Sequence, residues 1–217
     1  AAQAVPPETH AQARRAFVAA YADVEAGRPL PEGDVLDLLG GYVLYPYLEA
    51  AQARAALRRR DARADAVARE FLARHGDEAY ARPVRRAFLD SLAARRQWAA
   101  FLEVYATARA VDQVLRCQAI EARIALGLTE GLRELVEAEW LTPRSAPDSC
   151  DAGFDWLRAR GELTPALVER RALLALDAGE LALARWLARS PPEAAARRVS
   201  GRATPVEQPA AAVDAAS

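Results

Sequence analysis

The chain has 217 residues, is nearly neutral and is rich in alanine, and these properties narrow its class. Its 29 basic residues, all arginine, face 30 acidic residues, so the net charge is −1. We expect no nucleic-acid partner, because nucleic-acid-binding proteins present uncompensated positive charge. The hydrophobic fraction of 52% owes much to alanine, which suits closely packed helices better than the core of a sheet. An apolar run long enough for a transmembrane helix, about 18 residues, is missing from the sequence.

Helical periodicity dominates the chain. Apolar residues recur at steps of three and four between short breaks that contain glycine or proline. The strand-like run Tyr42–Leu48 contains Pro46, which fits the first turn of a helix. Asp61 and Thr129 are predicted helix caps. The pattern predicts about eleven helices, over residues 8–26, 32–39, 46–60, 61–74, 81–96, 97–106, 110–126, 129–140, 148–160, 165–178 and 180–189.

The breaks between these helices are short, so neighbouring helices are expected to pack as antiparallel hairpins. The predicted fold class is therefore all-α, a right-handed α-superhelix or α-solenoid of short helix hairpins. The regular period of about 34 residues found in tetratricopeptide arrays is not present. We expect one helical domain over residues 1–190 and a linker or tail rich in proline and alanine over residues 191–217.

The chain start and the two cysteines indicate a cellular compartment. The sequence contains no methionine and begins Ala1-Ala2-Gln3-Ala4, as expected for the amino-terminal part of a longer exported protein after removal of a signal peptide; an arbitrary boundary would look the same. Cys117 and Cys150 lie 33 residues apart, without the C-x-x-C spacing of metal or redox sites, and His10 and His75 are distant in sequence. A structural disulfide in an oxidising compartment is favoured, with two inert buried thiols as the alternative.

Several short segments carry a resemblance to a known family. They occur in the family's order and span about residues 10 to 190. Together they resemble the amino-terminal superhelical, U-shaped domain of the bacterial soluble lytic murein transglycosylases, and the cysteine pair that flanks the turn after Trp140 is the most specific element. The segments are Leu44–Glu49, Leu92–Trp98, Cys117, Glu139–Thr142, Cys150-Asp151 and Trp156–Gly161.

The resemblance implies a function for a longer parent enzyme. In that family a separate lysozyme-like domain cleaves the β-1,4 bond between N-acetylmuramic acid and N-acetylglucosamine in periplasmic peptidoglycan and forms 1,6-anhydro products, with one glutamate as acid and base. The family's catalytic Glu-Ser pair and Gly-Leu-Met-Gln motif are absent from this sequence. The resemblance therefore implies no catalytic residue here and no cofactor. It implies a scaffold that positions glycan strands for linker and catalytic domains outside the chain.

The remaining candidate residues have two interpretations each. Tyr45, Tyr47 and Glu49 are candidates for glycan or interdomain contact, whereas aromatic residues at a helix start more often pack between hairpins. The glutamates of helix 129–140 are interpreted as a solvated face and not as a metal site. For the whole chain, the alternative function is a stand-alone helical-repeat adaptor that binds protein partners.

Overall fold

The computed structural model describes residues 7–60 and 62–189, and every regular element in this part of the chain is helical. Asp61 and the predicted linker, residues 191–217, lie outside the described residues. Two 3₁₀ turns, Ala79–Ala81 and Asp148–Cys150, precede α5 and α9. The α-helices are α1 (Pro7–Glu25), α2 (Asp34–Gly40), α3 (Tyr45–Arg59), α4 (Ala64–His75), α5 (Arg82–Ala94), α6 (Trp98–Tyr105), α7 (Gln113–Ala125), α8 (Leu132–Trp140), α9 (Asp151–Ala159), α10 (Pro165–Asp177) and α11 (Leu181–Ala188).

These eleven α-helices confirm the all-helical prediction, and Pro46 lies in the first turn of α3 as expected. The predicted cap Thr129 is wrong, because α8 begins only at Leu132. Gly127 and Gly131 take left-handed φ values of 71° and 61°, and the Leu132 N–H donates to the Thr129 carbonyl at 3.2 Å. The glycines allow a tight turn to close before the helix starts, and Thr129 lies inside that turn. None of the described helices has the length and apolar character that crossing a membrane requires.

The described residues form two compact units, with the division between Ala108 and Arg109. In the first unit α3 packs against α1, α4 and α5. Small side chains on several sides of α3 allow these close approaches, because helix axes draw together where the contacting residues are short. The buried alanines of α3 are Ala50, Ala51, Ala53, Ala55 and Ala56.

In the second unit one continuous core joins α7 to α11. Gly153 of α9 lies where α9 meets α7 and α8. A Cβ atom at Gly153 would lie 2.9 Å from Ile120 Cγ2 and 3.3 Å from Val136 Cγ1. The missing side chain therefore allows these helices to pack closely at this point.

Candidate functional site

The three sequence-predicted contact residues lie on the first two turns of α3, and the structure gives each a different environment. Tyr45 is half-buried and packs against the core formed by α1, α2 and α3. Tyr47 is 47% exposed, and its ring lies 4.9 Å from the ring of Tyr80. Glu49 is half-buried and faces α4. The three side chains therefore do not form a single exposed surface.

Glu49 joins α3 to the end of α4 and the 3₁₀ turn that follows it. Arg74 Nη1 donates to Glu49 Oε1 at 2.8 Å, and His75 Nε2 lies 3.3 Å from Glu49 Oε2. On its other side, His75 Nδ1 is 3.1 Å from the Tyr80 hydroxyl. The Tyr80 ring also contacts the Tyr47 ring, with the two ring planes tilted by 46°.

The surroundings of this cluster disfavour ionisation of two of its tyrosines. Partial burial raises the pKa of Tyr45, the nearby Glu49 charge raises it further, and Arg74 opposes both. Loss of solvent likewise raises the pKa of Tyr80, with smaller contributions from Glu78, Tyr47 and Glu49. Both phenols are therefore hydrogen-bonding groups at neutral pH and do not act as phenolate bases.

The cluster's geometry supports a structural role for Glu49. One carboxylate oxygen accepts from Arg74 and the other faces His75, so neither oxygen is presented to a substrate. Tyr47 is the one of the three predicted contact residues with a largely open ring face. We retain Tyr45, Tyr47 and Glu49 as candidates for glycan or interdomain contact, with Tyr47 as the side chain that such a contact would reach first.

The second unit contains the cysteine pair. Cys117 of α7 and Cys150 of the 3₁₀ turn before α9 are both buried and are joined by a disulfide bond, with their Cα atoms 4.7 Å apart. The bond ties the middle of α7 to the start of α9. It also fixes the position of Asp151, the first residue of α9.

The solvated face predicted for the glutamates of α8 is wrong at Glu139, which is only 9% exposed. Arg116 of α7 reaches across and donates to both carboxylate oxygens, from Nε at 2.5 Å and from Nη2 at 3.2 Å. This two-pronged pairing compensates the burial of the carboxylate. Sequence periodicity missed it because Arg116 lies on another helix, 23 residues away. Among the residues that the structure describes, no three His, Cys, Asp or Glu side chains are grouped so that they could hold a metal ion.

No protein-family model matches the sequence. The soluble lytic murein transglycosylase of Salmonella typhimurium is 30% identical over 150 residues, which are 69% of this chain and 23% of that protein. The Escherichia coli K12 protein of the same name is 29% identical over the same length. The chain thus spans about a quarter of the length of the curated relatives that it matches.

Solved structures agree with the sequence match. A complex of the 70-kDa soluble lytic transglycosylase with bulgecin A aligns with a TM-score of 0.70 and 26% identity, over 91% of this chain and 31% of that chain. The chain is homologous to the soluble lytic transglycosylases. The 70-kDa soluble lytic transglycosylase of Escherichia coli also aligns, with a TM-score of 0.66 and 25% identity over 91% of this chain. Because the matched enzyme is a helical superhelix, the predicted fold class is confirmed.

Proposed function

We propose that the chain is the non-catalytic helical domain of a periplasmic peptidoglycan lytic transglycosylase, and that it positions glycan strands for a catalytic domain outside residues 1–217. The observation that carries this proposal is the homology, which extends over 91% of the chain but over only about a third of the matched enzyme. A peptidoglycan-related function is what the names of these relatives support.

The chemistry of the described residues supports a role without catalysis. Lytic cleavage needs an acid beside the glycosidic oxygen in a groove that holds the sugar. Glu49 and Glu139, the two glutamates considered above, are engaged by arginine side chains. Neither glutamate is therefore free to act as that acid, and the proposal assigns the parent enzyme's cleavage to 1,6-anhydromuramyl products to its other domain.

A comparison of three proteins tests this proposal. The 217-residue chain, an isolated lysozyme-like catalytic domain from a lytic transglycosylase, and a fusion of the two are incubated with peptidoglycan sacculi, and 1,6-anhydromuropeptides are measured by mass spectrometry. We expect no product from the chain alone and faster release by the fusion than by the catalytic domain.

Two outcomes would contradict it. Anhydro products from the chain alone that disappear when one of its glutamates is changed would show a catalytic site within the chain. Equal rates for the fusion and the isolated catalytic domain would remove the positioning role and favour the protein-binding adaptor.

A further inference from the structure

A cavity of about 430 Å³ opens in the second unit between α9, α10, α11 and the segment that follows α8. This volume lies within the range of small-molecule sites, roughly 300–1,000 Å³. Six of its eleven lining residues are aromatic or aliphatic, and the other five are polar or charged. The combination is typical of ligand sites, in which apolar contact supplies affinity and a few polar groups supply orientation.

Two aromatic rings at the cavity are held rigidly. Trp140 and Phe154 meet edge to face, with ring centroids 4.9 Å apart. The Trp140 indole N–H donates to the Leu167 carbonyl at 3.3 Å. The buried Arg171 guanidinium lies 4.4 Å from the Trp140 ring and donates to the Arg144 carbonyl at 3.2 Å. These fixed contacts mean that the inner wall is formed before a ligand arrives.

Trp186 of α11 also lines the cavity, and it is 57% exposed although it is among the largest apolar side chains in the protein. An indole face beside a cavity favours flat ligands with an apolar surface, such as the C–H face of a pyranose ring. The exposed ring is therefore the stacking platform of the site.

The polar groups of the cavity suit a neutral ligand. Asp155 and Arg158 pair with each other. The remaining charged groups, the Asp151 carboxylate and the Arg171 guanidinium, have opposite signs, so the lining has no net charge. Asp151 and Ser145 also line the cavity, and neither side chain has a hydrogen bond or an ion pair with any residue in the described part of the chain. A carboxylate accepts hydrogen bonds and a hydroxyl both donates and accepts, which matches the hydroxyl and amide groups of an amino sugar.

We propose that this cavity binds an N-acetylhexosamine unit of a glycan strand, with the sugar ring stacked on Trp186 and its hydroxyl or acetamido N–H hydrogen bonded to Asp151. The apolar inner wall at Trp140 and Phe154 accommodates the acetamido methyl group. The choice of an N-acetylated sugar rests on the proposed function; the choice of a neutral saccharide rests on the cavity itself.

The test uses the whole 217-residue chain and tetra-N-acetylchitotetraose, a neutral N-acetylglucosamine oligomer, titrated by calorimetry and by NMR. We expect saturable binding that weakens about tenfold in Trp186→Ala, by loss of the stacking surface. Trp186→Phe should retain part of the affinity, and Asp151→Asn should weaken binding several-fold. Leu128→Ala is the matched control, because Leu128 is an exposed apolar residue of the same unit that does not line the cavity.

Each result decides the proposal, provided that circular dichroism shows the variants to be folded. No saturable binding, or equal binding by Trp186→Ala and the unaltered chain, would overturn the saccharide site. Equal binding of cellotetraose, which lacks acetamido groups, would overturn the choice of an N-acetylated sugar. These results can be separated from those of the fusion experiment. Oligosaccharide binding without faster product release would contradict the positioning role alone. Faster product release without oligosaccharide binding would contradict this site alone.

Discussion

Glu49 lies where α3, the end of α4 and the turn 79–81 pack against one another. Its pairing with Arg74 is partly sheltered, since the Glu49 side chain is 15% exposed. Glu70 contacts the same Arg74 at 3.8 Å but is 74% exposed. The two carboxylates thus share a cation but differ in burial, in distance and in the His75 contact that only Glu49 makes.

We expect Glu49→Gln to lower the free energy of unfolding by about 1–2 kcal/mol, because the substitution removes the half-buried carboxylate charge that pairs with Arg74 and contacts His75. Glu70→Gln is the matched control and should change the free energy of unfolding by less than about 0.5 kcal/mol. Urea unfolding of both variants measures the difference. Equal effects would mean that Glu49 contributes no more than a surface charge.

Tyr45 should titrate above the ordinary tyrosine pKa of about 10, because burial and Glu49 both disfavour the phenolate. Because the pKa of Tyr45 is raised in the folded state, the contribution of the neutral Tyr45 phenol to the free energy of unfolding is fully present below the pKa of the unfolded chain. That contribution is lost as the pH rises through the folded-state pKa. NMR of the tyrosine ring carbons in an alkaline titration measures this. A Tyr45 resonance that titrates at or below the unfolded-chain value would refute it, and Glu49→Gln should move the pKa part of the way back.

The burial and the partners of an individual side chain were much harder to predict from the sequence than the start of a helix. The Tyr45-Pro46-Tyr47 run indicated a helix start, because a proline preference is local. It did not separate half-buried Tyr45 from exposed Tyr47, because that depends on α1, α2 and the turn 79–81. Glu139 was assigned to solvent for the same reason, since its partner Arg116 comes from α7.

At the scale of elements, Gly153 controls the approach of α9 to α7 and α8. We expect Gly153→Ala to lower the free energy of unfolding by about 1–3 kcal/mol, through overpacking against Ile120 and Val136. Gly40→Ala is the control, because no atom lies within 4 Å of its added Cβ; it should be neutral or stabilise by up to about 1 kcal/mol. Thermal unfolding of both variants checks this. A Gly153→Ala variant as stable as the parent would show that the helices can move apart without loss.

The Cys117–Cys150 bond joins two cysteines that are 33 residues apart in the sequence. In the chain-entropy model, removing it through a Cys117→Ala, Cys150→Ala double variant should lower the free energy of unfolding by about 3–4 kcal/mol. In exported protein, mass spectrometry without reductant should find neither cysteine alkylated under denaturing conditions, whereas the reduced sample should carry two labels. Two alkylated thiols in the non-reduced sample would contradict the oxidised state.

Element boundaries were predicted well where a local signal exists. Proline at the start of α10 and glycine after α7 placed those ends within a few residues. The start of α8 was misplaced because Gly131, rather than Thr129, precedes the helix. The cavity with its exposed Trp186 was not predicted, because it depends on how three helices and a loop pack against one another and not on any local sequence signal.

At the scale of the whole molecule, the charges of 29 basic and 30 acidic residues nearly cancel, which limits the attraction of the protein surface for polyanions such as DNA. Many arginines of the described helices are paired with carboxylates, as in Arg54–Glu25 and Arg95–Asp65. We expect no retardation of duplex DNA by the 217-residue chain in a gel-shift assay at physiological ionic strength, because few phosphate counterions would be released. Retardation that weakens steeply with added salt would reveal a basic surface and contradict the neutral-ligand interpretation.

The disulfide also links the proposed sugar site to the oxidation state of the two cysteines. Asp151 follows Cys150 directly, so the bond that ties α7 to the start of α9 also anchors one side of the proposed sugar site. A chain whose cysteines are reduced lacks that anchor, so the proposed site is expected to be less well ordered in it. We therefore expect tetra-N-acetylchitotetraose to bind more tightly to the oxidised chain than to the same chain kept in reductant.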